Sequence, residues 1–129
     1  MAKKASNLVS EGFNVLKIKL GENVDLDLER LEEINGAFGD RIKLRIDANQ
    51  GWSRTEALLF MSQLDRENVQ FVEQPIAADD LEGMRYLRDN AGVPILADES
   101  VHGPESALGL IRRGAADFLN IKLSKCGGF

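Results

Sequence analysis

The segment IKLRID, residues 42–47, is a short apolar run that ends at an ionisable residue, Asp47. Four other segments end in the same way, and successive terminal residues are 24 to 28 positions apart. The five segments are VLKIK (15–19), IKLRID (42–47), VQFVE (69–73), VPILAD (93–98) and FLNIK (118–122). A repeat of this length accommodates one strand, one helix and two short loops. The pattern therefore predicts an α/β fold built of parallel βαβ units.

Apolar residues at helical spacing fill the stretches between these segments. The predicted helices cover residues 2–11, 25–38, 55–64, 81–90 and 104–113. Local signals support their ends: Ser53 and Glu56 have the spacing of a capping box, and Asp79 or Asp80 precedes the fourth helix. Gly114 follows the fifth helix and is a suitable stop. Strand and helix therefore alternate along the whole chain.

Composition limits the class of protein before any site is considered. The chain has 129 residues, of which 43% are hydrophobic and 29% charged, as expected for one globular domain. A net charge of -5 with no basic block argues against nucleic-acid binding. No apolar stretch approaches the roughly 20 residues of a membrane helix, and the first residues lack a secretory signal. A single cysteine, Cys126, is typical of a reducing compartment, so we expect a cytoplasmic protein.

The second predicted strand has one apolar and one polar face. Lys43, Arg45 and Asp47 alternate with isoleucine and leucine, so they project from the same side of the strand. Strands of a parallel sheet are usually apolar on both faces because helices cover both. The apolar face is expected to pack on helices, and the polar face is expected to line a barrel interior or a cleft.

Three carboxylates occupy equivalent strand ends. Asp47, Glu73 and Asp98 end the second, third and fourth predicted strands, so parallel strands bring them to one rim of the sheet. A ligand set made only of oxygen suits Mg²⁺ or Mn²⁺ better than zinc. One such acid alone is more often a solvated residue or a helix cap. Three in register, with lysines beside them, predict a site for a divalent cation.

The lysines of the first and last predicted strands are candidate acid–base groups. Lys17 and Lys19 lie two positions apart and therefore side by side, and repulsion between them is expected to lower one lysine pKa toward neutrality. A lysine with a lowered pKa is a suitable general base. Lys122 ends the fifth segment and would approach a pocket from the opposite wall if the sheet closes into a barrel.

Other residues give weaker signals. Trp52 follows the second strand, and packing in the loop is favoured over contact with a substrate. His102 is the only histidine and is interpreted as an ordinary loop residue. Residues 125–128, KCGG, follow the last strand and are predicted to form a strand-to-helix turn, since their spacing is not that of a phosphate loop.

The motifs taken together resemble the enolase superfamily, specifically its muconate-lactonizing-enzyme subgroup, and within it the dipeptide epimerases. The motifs that carry the resemblance are KIKLG, DANQGW, VEQP, ADES and NIKLSKCGG, in this order along the chain. The resemblance implies that Asp47, Glu73 and Asp98 bind Mg²⁺. It also implies that Lys19 and Lys122 form an acid–base pair on opposite faces of the substrate.

The implied reaction is removal of the proton alpha to a carboxylate, followed by reprotonation. In this family Lys17 would support Lys19, and the metal would stabilise the enolate. The substrate would be a small carboxylate such as a dipeptide, and the outcome a racemisation or epimerisation. Related members catalyse cycloisomerisation or form o-succinylbenzoate.

The resemblance also implies that the chain is part of a larger fold. Residues 1–129 match strands two to six of an eight-stranded (β/α)₈ barrel, without the capping domain, strand one or the last two strands. Such a barrel typically needs about 250 residues. We therefore expect weak or absent Mg²⁺ binding, no turnover by the chain alone, and self-association. The alternatives are a free-standing flavodoxin-like phosphoacceptor domain and an inert self-associating half-barrel.

Overall fold

Five parallel strands form a single sheet in the computed structural model, which describes residues 1–128. They are β1 Val15–Lys19, β2 Lys43–Asp47, β3 Val69–Glu73, β4 Ile95–Ala97 and β5 Phe118–Leu119. Each strand pairs in parallel with the next one in the chain, giving the order β1-β2-β3-β4-β5. The predicted α/β fold of parallel βαβ units is confirmed.

A helix follows each strand, and one more precedes the first. The helices are α1 Ala2–Ser10, α2 Val24–Phe38 with a 3₁₀ turn at Gly39–Arg41, α3 Arg54–Ser62, α4 Leu81–Ala91, α5 Pro104–Arg113 and α6 Leu123–Cys126. Of the helices among residues 1–128, none is long and apolar enough to cross a bilayer.

The end of the chain differs from the prediction. The last strand is only Phe118–Leu119, although the apolar pattern of FLNIK predicted a strand through Lys122. Residues 125–128 were expected to form a strand-to-helix turn, but the short helix α6 already includes Lys125 and Cys126. The backbone N–H groups of both residues donate to the carbonyl of Lys122. Because the strand ends early, Ile121 and Lys122 lie outside the ladder, and the Lys122 side chain contacts Asp98 at the rim of the sheet.

The strand order excludes one of the alternatives. Flavodoxin-like domains have the order 2-1-3-4-5, in which the first strand lies between its neighbours in sequence. Here β1 is at one edge, next to β2 alone, and the remaining strands follow in sequence. This succession is that of a (β/α)₈ barrel, so the phosphoacceptor interpretation is wrong.

The hydrophobic core lies between one face of the sheet and the helices α2 to α5. Strand residues such as Ile46, Val72 and Ile95 are fully buried there against Phe60 and Leu87 of the helices. Burying such side chains contributes roughly 1.5–3 kcal/mol each. The predicted apolar face of β2 is confirmed as the helix-packed face.

The opposite face of the sheet, which we call the inner face, is largely uncovered. Arg45 and Phe118 on this face are exposed, and Phe71 between them is half-buried. The guanidinium of Arg45 lies 5.4 Å from the centre of the Phe71 ring, and the Phe71 and Phe118 rings are 6.1 Å apart. An exposed aromatic row is unusual for a parallel sheet, whose faces are normally both covered.

The helix start predicted before α4 is formed by Asp80. Its carboxylate accepts a hydrogen bond from the backbone N–H of Gly83 at 3.0 Å and is paired with the guanidinium of Arg54 on α3. Hydrogen bonding by Arg54 is the main reason that the pKa of Asp80 is lowered, against a smaller opposing effect of burial. One side chain therefore caps α4 and joins it to α3.

We expect Asp80→Ala to lower the free energy of unfolding by about 1 kcal/mol at neutral pH, the usual value for a lost cap. Because the folded-state pKa is lowered, the contribution is present above the ordinary aspartate pKa of about 4 and is lost as the pH falls through the folded value. Urea unfolding at pH 7 and pH 2.5 measures both effects. Asp79→Ala, an exposed neighbour, is the control; equal losses for the two variants would contradict this role.

Candidate active site

Asp47 and Glu73 lie side by side and share one lysine. The ammonium Nζ of Lys17 is 3.0 Å from Asp47 Oδ2 and 2.6 Å from Glu73 Oε2. Both carboxylates are almost fully buried, whereas the lysine side chain is partly exposed on the inner face. The predicted meeting of strand-end carboxylates is therefore seen for these two residues.

An irregularity in the ladder produces this alignment. Leu44 opposes Val69, but the next residue, Arg45, opposes Phe71, so Gln70 is an extra residue in β3. The shift places Asp47 directly opposite Glu73. In a regular ladder continued from Leu44 and Val69, Asp47 would lie opposite Val72, and the two acids would be one position out of register and on opposite faces of the sheet. Gln70 also accepts a hydrogen bond from Arg45, which fixes the bulge on the inner side.

Asp98 is paired with two lysines from the end of the chain. Lys122 Nζ donates to Asp98 Oδ2 at 2.5 Å, and Lys125 Nζ donates to both Asp98 Oδ1 and the Asp98 carbonyl at 2.8 Å. The three-residue spacing of the lysines on the turn of α6 lets both reach the same carboxylate. Sequence reasoning missed Lys125, although its helical spacing from Lys122 was a usable signal.

The pairing changes the proton affinity of both partners. Burial is the largest single effect on Asp98 and raises its pKa, but the hydrogen bonds and charges of Lys122 and Lys125 together outweigh it, so the pKa is lowered. The hydrogen bond to Asp98 is the main reason that the pKa of Lys122 is raised, against a smaller effect of burial. Lys122 is therefore an ammonium at neutral pH in this arrangement.

The expected fall in a lysine pKa is wrong for Lys17. Burial is the largest effect and lowers the Lys17 pKa, but hydrogen bonds to Glu73 and Asp47, together with their charges, raise it above the ordinary value. Sequence spacing predicted repulsion from Lys19, and it did not show that two acids from neighbouring strands lie closer. The Lys19 side chain is 77% exposed, with Nζ 3.7 Å from Asp47 Oδ2.

Asn120 joins the two groups of residues. Its side-chain amide donates to Glu73 Oε1 at 3.4 Å, and its backbone N–H donates to the carbonyl of Ala97, next to Asp98. Lys19 reaches the rim from the end of β1, and Lys122 reaches it from the segment that follows β5; each contacts a different carboxylate. All three carboxylates thus belong to one charged rim, compensated by lysines.

A buried acid that the sequence analysis did not single out anchors this rim. Asp27 on α2 is fully buried, and its Oδ2 accepts from the backbone N–H of Gly21 at 2.8 Å and from Trp52 Nε1 at 3.1 Å. These two partners lie in the loops that follow β1 and β2. The loops touch so closely that a Cβ on Gly51 would lie 1.9 Å from the carbonyl oxygen of Gly21. Trp52 is buried against Phe60, which confirms the packing interpretation.

We expect Asp27→Ala to lower the free energy of unfolding by about 3 kcal/mol, because Trp52 Nε1 and the Gly21 N–H would be left buried without an acceptor. Asp25→Ala is the matched control, since Asp25 lies in the same helical turn, carries the same charge and is exposed. Chemical denaturation followed by tryptophan fluorescence measures both. A loss in the Asp27 variant no larger than in the control would contradict an anchoring role.

The residues present fit a divalent cation by their chemistry. The three acids provide oxygen ligands only, are nearly fully buried, and follow three adjacent strands. The Lys17 ammonium already places a positive charge within 3.0 Å of two of them. No group of three or more acidic, histidine or cysteine side chains within residues 1–128 is arranged to hold a metal ion in this structure. Binding of one cation by Asp47, Glu73 and Asp98 together stays a prediction.

The comparison with known proteins defines the family. The sequence profile of the Enolase C-terminal domain-like family matches residues 1–129, so the chain belongs to this family. The resemblance inferred from the motifs is confirmed.

Individual relatives place the chain within the family. The L-Ala-D/L-Glu epimerase of Clostridium acetobutylicum is 42% identical over 130 residues, which cover 99% of this chain and 36% of the epimerase. The crystal structure of a dipeptide epimerase from Cytophaga hutchinsonii, complexed with Mg and the dipeptide D-Ala-L-Val, has a TM-score of 0.94 and 39% identity, covering 99% of this chain and 35% of that one. Muconate lactonizing enzyme from Pseudomonas putida has a TM-score of 0.90 and 32% identity, covering 98% of this chain and 36% of that enzyme. The chain therefore spans little more than a third of the length of these relatives.

Proposed function

We propose that this chain supplies the metal ligands and both acid–base lysines of an isomerase that epimerises a small carboxylate substrate such as a dipeptide. The observation that carries the proposal is the charged rim, in which three buried strand-end carboxylates lie between Lys19 on one side and Lys122 on the other. The names of the relatives support epimerisation and a dipeptide. We assign Mg²⁺, or Mn²⁺, to Asp47, Glu73 and Asp98.

The two lysines have separate tasks in this proposal. Removal of an alpha proton from one face requires a neutral amine, and reprotonation from the other face requires an ammonium. Lys122 is assigned to the face opposite Lys19, and its partly exposed side chain leaves room for its Nζ to reach a substrate once Asp98 holds the cation. Either lysine would then serve as base in one direction of the epimerisation and as acid in the other. Lys19 is the group on the opposite side, and its exposed Nζ is free to reach a substrate on the inner face.

The cation would supply Lewis-acid stabilisation of the negative charge that develops on the substrate carboxylate. Lys17 holds Asp47 and Glu73 together and offsets their negative charge. Asn120 restrains Glu73 from the side of β5. The chain's own residues thus position the ligands and carry the protons.

Turnover by the chain alone is not part of the proposal. The inner face and the lysines are exposed to water in this sheet, and a water-accessible site loses the low-dielectric surroundings that strengthen its electrostatic interactions. We propose that a complete barrel and a capping domain are needed to enclose the substrate. The five strands would then be strands two to six of eight.

The test uses a hybrid enzyme in which residues 1–129 replace the matching 35% of the Cytophaga hutchinsonii dipeptide epimerase. In D₂O with Mg²⁺, we expect the hybrid to incorporate deuterium at the alpha carbon of D-Ala-L-Val and to form the epimer, as followed by NMR. We expect neither from the isolated chain. A folded hybrid that exchanges no alpha proton, while the unmodified epimerase does so, would contradict the proposal.

A further inference from the structure

Gln74, which follows Glu73 at the end of β3, is a buried polar residue that the catalytic proposal does not use. It is fully buried and has a φ of 39°, in the left-handed region that residues other than glycine rarely adopt. Such conformations persist only where surrounding contacts enforce them. The backbone turns sharply here, between Glu73 and Pro75.

The side-chain amide of Gln74 uses all of its hydrogen-bonding capacity. Its Oε1 accepts from the backbone N–H of Asp98 at 3.0 Å and from that of Ser100 at 3.1 Å. Its Nε2 donates to Ser100 Oγ at 2.9 Å and to the carbonyl of Ile76 at 3.0 Å. An amide has two acceptor and two donor positions, and all four are occupied. The orientation of the amide is therefore fixed, and so is the turn that carries Asp98.

The main chain of Gln74 contacts two further segments of the rim. Its N–H donates to the carbonyl of Leu96 in β4, and its carbonyl accepts from the N–H of Gln50, three residues after Asp47. One residue thus touches the segments that follow β2 and β4 while it is covalently joined to Glu73. No other pairing described above connects the backbone around all three carboxylates.

We propose that Gln74 is a positioning residue that sets the distance and orientation of Asp98 relative to Glu73. Its amide oxygen holds the Asp98 N–H, which fixes the backbone after β4 relative to the end of β3. The role in metal binding rests on the proposed function. The role in holding the Asp98 turn does not, because it follows from hydrogen bonds within the chain.

The first arm of the test is amide hydrogen exchange of the chain as it exists, measured by NMR. Gln74→Met removes the acceptor at similar volume, and we expect the Asp98 and Ser100 amides to exchange roughly 10- to 100-fold faster, as for loss of a buried hydrogen bond. The Val72 amide, in the same sheet, should not change. Ser100→Ala is the control, because it removes the hydroxyl but leaves Oε1 facing the Asp98 N–H. Unchanged exchange at Asp98 in a folded Gln74→Met variant would overturn the proposal.

Gln74→Glu is a second variant that retains an acceptor oxygen. We expect it to keep the Asp98 amide protected. If Gln74→Met does not fold, amide exchange in Gln74→Glu becomes the test. A folded Gln74→Glu protein with an unprotected Asp98 amide would overturn the proposal.

The second arm measures Mn²⁺ affinity of the hybrid enzyme by electron paramagnetic resonance. We expect Gln74→Met to weaken Mn²⁺ binding about 10- to 100-fold, the usual effect of losing a residue that orients a ligand, and Ser100→Ala to change it by less than about threefold. If Gln74→Met speeds exchange of the Asp98 amide but leaves the Mn²⁺ affinity unchanged, the proposal that Gln74 positions Asp98 as a metal ligand is overturned. A hybrid that binds no Mn²⁺ even before substitution contradicts the proposed function, and the exchange data then decide separately whether Gln74 holds Asp98.

Discussion

Lys122→Ala and Lys19→Ala are each expected to reduce epimerisation by the hybrid enzyme about 10²- to 10⁴-fold, the usual contribution of a general acid or base. Each substitution removes the acid–base group on one face of the substrate. Inversion at the alpha carbon needs a group on both faces, so neither variant can epimerise the substrate efficiently. The two single losses should also be strongly non-additive in the double variant, because both lysines act in one sequence of proton transfers. Alpha-proton exchange and epimer formation, followed by NMR, give both quantities.

Lys43→Met is the control for these variants. Lys43 lies on the same inner face, but at the opposite end of β2, where its Nζ donates to the carbonyl of Glu67. Its replacement should leave turnover within about threefold, since it lies far from the rim and such surface changes are usually mild. A Lys122 variant as active as the Lys43 variant would show that Lys122 carries no proton.

Self-association of the isolated chain is the second large effect that we expect. The strands β1 and β5 form the edges of the described sheet and present unpaired backbone groups. Beside β5, the apolar side chains of Phe118, Ile121 and Leu123 are exposed, Ile121 by 77%. Open edges and exposed apolar side chains both favour contact with another chain. Sedimentation velocity at micromolar concentration should therefore show species larger than a monomer.

Ile121→Lys is expected to shift this equilibrium toward monomer, because a charge beside β5 opposes edge pairing. Leu59→Lys is the control, because it introduces the same charge at another exposed apolar residue, on α3 and away from the sheet edges. It should leave the proportions of monomer and larger species unchanged. A sharp monomer peak for the unmodified chain at all concentrations, together with cooperative thermal unfolding, would contradict the expectation.

Much of the fold follows directly from the sequence because local patterns and packing agree. The apolar segments around Ile46 and Val72 form strands whose apolar side chains are buried in the core, as their sequence pattern predicts. The capping box at Ser53 also forms, as its spacing predicts. The last strand was overestimated because FLNIK has the same apolar pattern as the others. Its lysine is drawn instead into a contact with Asp98, which the sequence alone does not reveal.

The candidate site was predictable in its residue types but less so in its contacts. Strand ends placed Asp47 and Glu73 at one rim, yet their exact opposition depends on the bulge at Gln70, which has no clear sequence signal. The direction of the Lys17 pKa depends on which charges are nearest in space. The sequence pattern did not single out the buried polar residues Asp27 and Gln74, because their hydrogen-bond partners come from loops distant in sequence.

We propose that one cation binds between the three strand-end carboxylates, with a lysine on either side. Anomalous X-ray diffraction from crystals of the hybrid enzyme grown with Mn²⁺ tests it most directly, because the metal is located independently of its ligands. We expect a single strong peak within about 2.0–2.4 Å of oxygens from Asp47, Glu73 and Asp98, with the Nζ atoms of Lys19 and Lys122 on opposite sides of the adjoining pocket. A peak bound elsewhere, or a fully formed rim with its lysines still paired to the acids and no peak, would contradict it.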